Sequence, residues 1–277
     1  MKFLFLTLLL SSCASANNPI QKEMLIRPGE VRWVELELPN RDVKLFCRDQ
    51  MVKVHRSGKK VQAVIVESYF SDLNPFTCTF KEDEQVLVDV FFKVENKEYV
   101  AEKLKVDPKR IKLSRLDQKR ADDEQQTLNR IYSESMNSFQ FQSSFKEPMT
   151  SAVTSVYGTK RVYNKEKKGQ HLGIDYRAAI GDKVPSANAG KVVFSGDLFY
   201  TGWTVIIDHG LEIFSVYGHL SKTMVNAGEF VRKDQVIGLS GNTGRTSGPH
   251  LHWGVKVQGQ YIDGLVLISE TKKIFQN

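Results

Sequence analysis

The sequence predicts a mainly β chain of two unequal units joined by a helical linker. Three observations carry that reading. Short runs of alternating apolar and polar residues recur from position 20 to about 105, and strands return from Phe145 onward. Turn residues punctuate the first set, as at Arg27-Pro28-Gly29, Leu38-Pro39-Asn40, Ser57-Gly58 and Asn74-Pro75. Between the two sets lies one long polar stretch with apolar residues at helical spacing. The 277 residues, 41% hydrophobic and 26% charged, have an ordinary globular composition and suffice for one or two domains. A formal net charge of +7 favours anionic partners. There is no arginine-rich arm, zinc finger or other nucleic-acid motif, so no nucleic-acid function is expected.

Residues 1–16 read as an export signal. Met1-Lys2 supplies a positive charge, and positions 3–10 are apolar except for Thr7. The run is shorter than the roughly 20 residues that span a bilayer. Two processing signals overlap behind it. Leu10-Ser11-Ser12-Cys13 resembles the bacterial lipobox, in which the cysteine is lipidated and becomes the first mature residue. Ala14-Ser15-Ala16 is an A-x-A cleavage site. The expected destination is the bacterial cell envelope, either membrane-anchored through lipid on Cys13 or soluble in the periplasm.

Residues 17–107 form the first unit. In the run 31–38, Trp33 faces away from Val34, Leu36 and Leu38, a period near two. The runs 43–47, 61–66 and 86–92 read the same way. Either cut in the export signal takes Cys13 out of the thiol count. Cys47 and Cys78 then remain as an even pair in an exported protein, which predicts one disulfide closing a loop of about 30 residues. Strands at this spacing with one disulfide suggest an immunoglobulin-like sandwich. His55 has no second ligand near it in sequence and reads as structural or surface.

Residues 108–144 form the linker. Asp107-Pro108 breaks the strand pattern, and Ser114-Arg115-Leu116-Asp117 resembles a capping box. A helix is expected over about 115–133, packed along one stripe, followed by a loop over 135–144. It serves as a plain connector or as a partial cover for the cleft of the second unit.

Residues 145–277 form the second unit, with strands near 191–196, 203–210 and 213–218 and glycine at many turns. No long amphipathic helix is legible, so a small β-sandwich or open barrel is expected. His250 and His252 flank Leu251 ahead of an alternating apolar run, so both imidazoles project to one face. His171 and Asp175 are an even number apart, where a glycine-containing loop enters a strand, and also share a face. His219 lies in Tyr217-Gly218-His219-Leu220. Catalytic zinc takes three protein ligands from His and Asp or Glu and keeps one position for water. Four histidines and one aspartate exceed that need, and the surplus imidazoles can handle protons or stabilise an oxyanion. Spacing alone does not say which are which. His209, in Asp208-His209-Gly210, reads as a strand-end turn residue. The glycine-rich stretch 241–248 lacks the Walker spacing and its lysine, so it is not read as a phosphate loop.

His171-x-Gly173-x-Asp175, Tyr217-Gly218-His219-Leu220 and Gly248-Pro249-His250-Leu251-His252-Trp253, in this order and spacing, resemble the lysostaphin-type (LytM-like) zinc metallopeptidases of bacterial cell walls. The similarity runs from about 150 to 264. The resemblance implies a compact antiparallel β fold, one zinc ion and hydrolysis of peptide bonds in peptidoglycan. It implies His171, Asp175 and His252 as ligands, with His219 and His250 as the catalytic pair. It says little about the first unit. The alternative is a non-catalytic wall-binding scaffold or amidase activator, which the complete motif set disfavours. The segment from Arg161 to Asn164, just before the first ligand, could line the cleft without an assigned role.

Overall fold

A computed structural model describes residues 19–104, 113–163 and 167–275. The export signal and Cys13 lie outside the described residues. The first unit comprises β1 (Ile20–Ile26), β2 (Val31–Glu37), β3 (Lys44–Cys47), β4 (Gln50–Val52), β5 (His55–Ser57), β6 (Lys60–Val66), β7 (Phe76–Glu82) and β8 (Gln85–Val94). They form two sheets, β1-β8-β7-β3-β4 and β2-β6-β5. That is the immunoglobulin division, with strands B, E and D in one sheet and G, F, C and C′ in the other. The first strand joins the second group by running parallel to β8. Leu36, Leu45, Ile65, Phe80, Val90 and Phe92 fill the space between the sheets. Cys47 and Cys78 are register partners on β3 and β7 and are disulfide-bonded, so the bond ties neighbouring strands within one sheet. With the cysteines 31 positions apart in sequence, the chain-entropy model gives it a stabilisation of roughly 3–4 kcal/mol.

Strand β2 buries both faces. Val34 and Leu36 enter the sandwich, whereas Val31 and Trp33 join a second core that runs on into the other unit. Trp33 stacks on Phe139 with ring centroids 4.7 Å apart, and His55 packs on the same phenylalanine at 4.9 Å. The alternation that made Trp33 the odd residue of its strand thus serves an interface.

After β9 (Ala101–Leu104) comes α1 (Arg115–Ser133). Its cap is Ser114, whose Oγ accepts from the Asp117 amide at 3.1 Å. The second unit follows as β10 (Val153–Ser155), β11 (Lys160–Tyr163), β12 (Lys167–Gln170), β13 (Ile174–Arg177), β14 (Lys183–Pro185), β15 (Gly190–Leu198) and β16 (Gly202–Asp208). It is completed by β17 (Ile213–Thr223), β18 (Phe230–Val231), β19 (Val236–Ser240), β20 (His250–Val257), β21 (Gln260–Ile262) and α2 (Gly264–Phe275). The main antiparallel sheet has the order β10-β13-β20-β17-β16-β15-β18; β14 pairs with β19, which pairs with β17, and β21 pairs with β20. A separate three-stranded sheet, β12-β11-β9, places β9 parallel to β11.

The two faces of the main sheet differ. Ile174, Tyr176, Val205, Tyr217, Leu251 and Trp253 point into the shared core. Asp175, His250 and His252 occupy the other face, which continues through Val216, Phe214 and Ile206 by cross-strand register. Helix α1 lies on that second face. Tyr132 packs on Ile206, Phe214 and Val216, and the Lys256 ammonium sits 4.2 Å above the Tyr132 ring.

Helix α2 differs from the sequence expectation. No long amphipathic helix is legible in this unit, because the apolar run Leu265-Val266-Leu267-Ile268 has no helical period. Tertiary packing decides the outcome. Leu267 and Ile268 are buried in the shared core, Thr271 Oγ1 accepts from the Phe145 amide at 3.0 Å, and Glu270 Oε2 accepts from the Trp33 amide at 3.1 Å. Among the described residues, no helix is long and apolar enough to cross a membrane.

Candidate metal centre

His171 lies in the loop entering β13, Asp175 within β13, and His252 directly opposite Asp175 on β20. Asp175 Oδ1 is 2.9 Å from His171 Nε2 and 2.9 Å from His252 Nδ1; the two nitrogens are 3.2 Å apart. Gly173 makes this approach possible, since a Cβ there would lie 2.4 Å from His252 Cε1. His171 Nδ1 is 3.1 Å from Val156 O and 3.2 Å from Ser155 Oγ. A carbonyl can only accept, so the proton of a neutral imidazole belongs on Nδ1 and the Nε2 lone pair faces Asp175.

Three lone-pair atoms at these separations repel one another unless protons or a cation sit among them. Tetrahedral zinc, with ligands at about 2.0–2.2 Å, sets its donors about 3.3 Å apart. The observed triangle is close to one face of such a tetrahedron, and imidazole plus carboxylate is a donor set suited to zinc. The residues therefore fit the ion. Burial works to raise the Asp175 carboxyl, but donation and charge from His171 and His252 whenever their facing nitrogens carry protons outweigh burial and hold the group below the usual carboxylate range, and a cation would take the place of those protons. Burial pushes His252 down, opposed by Asp175. Both shifts favour the deprotonated forms that bind metal.

His250 and His219 flank the triangle. Their ring centroids are 4.7 Å apart, and His250 Nε2 is 3.6 Å from Asp175 Oδ1. His250 Nδ1 lies 2.8 Å from Gly248 O, and His219 Nδ1 lies 2.8 Å from Thr243 O. Each contact places the ring proton on Nδ1 and leaves Nε2 as the base atom. Burial, reinforced by the neighbouring His252, lowers His219 to about 4, so it is neutral at physiological pH.

The strand that carries His219 runs on past it to Thr223. His219 sits within β17 at a register shift, with φ at +59° and its amide donating to Thr201 O at 2.6 Å. A left-handed non-glycine residue stores strain that the surroundings must hold. Here the surroundings are the β15–β16 hairpin and the 241–248 turn. Gly202, at φ +60°, lets the two meet, because a Cβ there would lie 2.4 Å from the Thr243 carbonyl carbon. The hairpin is in turn held by α1, whose Glu124 Oε2 accepts from the Phe199 amide at 2.8 Å. Sequence reading gave neither the linker helix nor the glycine-rich turn this part in positioning His219; the glycine at 202 was the available signal.

His209 stays apart from the cluster. It follows β16, is fully buried, and places Nδ1 2.7 Å from Ala189 O and Nε2 2.7 Å from Ser215 Oγ. Burial lowers it to about 4, a smaller opposite push coming from the Ala189 carbonyl. A histidine depressed below its unfolded value near 6.5 contributes stability that is complete above that pH and is lost as pH falls from about 6.5 to 4. We predict that His209 contributes up to about 3 kcal/mol to the loss of stability over this window. Urea midpoints at several pH values, compared with those of His209→Gln, would measure it. Identical pH slopes in the two proteins would refute it.

Comparison with known proteins places these residues in a wider setting. Residues 169–264 match the model of peptidase family M23. The chain is 38% identical over 114 residues to the peptidoglycan DD-endopeptidase ShyA of Vibrio cholerae, covering 41% of this chain and 26% of that protein. It is 36% identical over 106 residues to the DD-carboxypeptidase/endopeptidase Mpg of Neisseria meningitidis, covering 38% of this chain and 24% of that protein. The matches thus span about a quarter of the length of these curated relatives. A crystal structure of a Pseudomonas aeruginosa protein assigned to peptidase M23 superposes with a TM-score of 0.70 at 25% identity, covering 92% of this chain and 96% of that one. That likeness extends over both units.

Proposed function

We propose that this chain, whose residues 169–264 form a peptidase family M23 domain, is an exported zinc-dependent endopeptidase that hydrolyses peptide bonds of bacterial peptidoglycan. The observation that carries the proposal is the convergence of Asp175 Oδ1, His171 Nε2 and His252 Nδ1 within 3.2 Å of one another. These three would hold the ion. When bound, zinc supplies a Lewis acid and a water acidified to near neutrality.

The remaining chemistry belongs to the chain. His219 and His250 each keep a lone pair on Nε2 and are anchored at Nδ1 by a backbone carbonyl. Either can take a proton from the attacking water at Nε2, and the imidazolium so formed can donate to the developing oxyanion and pass the proton on to the leaving amine. The names of the relatives in Vibrio and Neisseria favour a D,D-peptide bond as the one cleaved. The proposed site of action is the cell envelope, with lipid on Cys13 as the anchor.

The test uses protein recovered from the envelope, whose intact mass reports lipid at Cys13. Its zinc content is measured, and it is incubated with purified crosslinked muropeptides whose fragments are identified by mass spectrometry. Monomers released by peptide cleavage are expected. A fully zinc-loaded protein that leaves every dimer intact would reduce the chain to a wall-binding scaffold.

A further inference from the structure

Arg161 is a charged group at the metal cluster that neither the ligand set nor the imidazole pair uses. It lies on β11, between β12 on one side and β9 on the other. Its Nη2 donates to Ser155 Oγ at 2.8 Å and lies 3.6 Å from Asp175 Oδ2. Ser155 Oγ is in turn 3.2 Å from His171 Nδ1. One guanidinium therefore reaches the outer side of two of the three ligands.

The two oxygens of Asp175 are divided by this arrangement. Oδ1 faces His171 and His252, and Oδ2 faces Arg161. On the far side of the guanidinium stands Glu102, the register partner of Arg161 on β9, with Oε2 3.9 Å from Arg161 Nε. That Nε is buried and makes no hydrogen bond among the described residues. The planar, forked shape of the arginine head lets it address Asp175, Ser155 and Glu102 at once, which a lysine ammonium on a flexible stem does not reproduce.

We propose that Arg161 is a positioning residue of the metal centre. It fixes which Asp175 oxygen is offered to the ion and, through Ser155, the ring plane of His171. Strand β9, which precedes the linker helix, holds it in place from the opposite side. The inference rests on the zinc reading above. Charge and positioning act in opposite directions here. A bare positive charge repels a divalent cation, so its removal would tighten binding, whereas loss of a ligand's outer partner loosens it, commonly by 10–100-fold.

The experiment measures zinc dissociation constants by chelator competition for wild type, Arg161→Ala, Arg161→Lys and Glu102→Gln, with unfolding midpoints of the zinc-free proteins alongside. Arg161→Ala is expected to weaken zinc binding about 10–100-fold with a near wild-type midpoint. Arg161→Lys should recover only part of the loss, and Glu102→Gln should show a smaller loss. Unchanged or tighter binding in Arg161→Ala would overturn the proposal. So would full recovery in Arg161→Lys, or a loss of affinity that simply follows a loss of folding. A raised KM with unchanged zinc affinity would reassign Arg161 to the substrate. Wild type that binds no zinc would remove the endopeptidase reading and this one together, whereas unchanged variants remove this one alone.

Discussion

His252→Ala is expected to lose its zinc and, with it, roughly four decades or more of hydrolytic rate. Three donors define the site, and His252 Nδ1 closes the triangle by standing 2.9 Å from Asp175 Oδ1 and 3.2 Å from His171 Nε2. Without it, two donors remain on one side of the ion, too few for a tetrahedral centre with an open water position. Water that is no longer metal-bound returns from a pKa near 7 toward 15.7, which removes nearly all the hydroxide available at neutral pH. His171→Ala and Asp175→Ala should behave alike. Zinc per chain and turnover of a crosslinked muropeptide are the two measurements. The fold should survive, because the loop, β13 and β20 carry their packing on the opposite face through Ile174, Tyr176, Leu251 and Trp253. A variant that keeps full zinc would lose its place among the ligands.

His250→Ala and His219→Ala are expected to keep zinc and lose two to four decades of kcat, with little change in KM. Neither imidazole is needed to complete three ligands, yet both stand beside them with Nδ1 held by a backbone carbonyl and Nε2 as the base atom. General acid–base groups contribute about 10²–10⁴ in rate, and an oxyanion donor about 10²–10³. Each loss corresponds to roughly 3–5 kcal/mol of barrier. Ground-state binding is not their task, so KM should hold. His250 is the sharper case, because its Nε2 is only 3.6 Å from Asp175 Oδ1. Loss of zinc in His250→Ala equal to that in His252→Ala would reverse the two assignments. For His219, an asparagine variant is the better control, since Asn tolerates the left-handed backbone that this position requires. Near-normal kcat in His219→Asn would make the residue structural.

Short-range geometry made part of the histidine cluster legible in sequence, whereas the division into ligands and proton handlers came from the motif resemblance. Residues two apart on a strand share a face, which brought His250 and His252 together on β20. The cap at Ser114 fixed the start of α1 by local chemistry. What sequence left hidden depends on partners far away in the chain. The left-handed turn at His219 is braced by Thr201 and Thr243, and although glycines mark both neighbourhoods, no local pattern brings them to His219. The helical state of α2 is imposed by the interface its apolar residues fill. The strand β9 is short, and its pairing with β11 spans about 60 residues of chain, beyond any periodicity argument.

Strand β2 lies at the edge of its sheet, beside β6 alone. An edge presents outward-facing amides that another molecule can adopt as a template, the usual route to intermolecular β-sheet growth. The Trp33 amide is instead satisfied by Glu270 Oε2, from a helix that packs beside the strand. Glu270 is itself buried and ion-paired with Lys273. The seam between the units therefore also acts as a stopper: one carboxylate from the end of the chain closes, near its beginning, a position at which copies of the protein could otherwise polymerise.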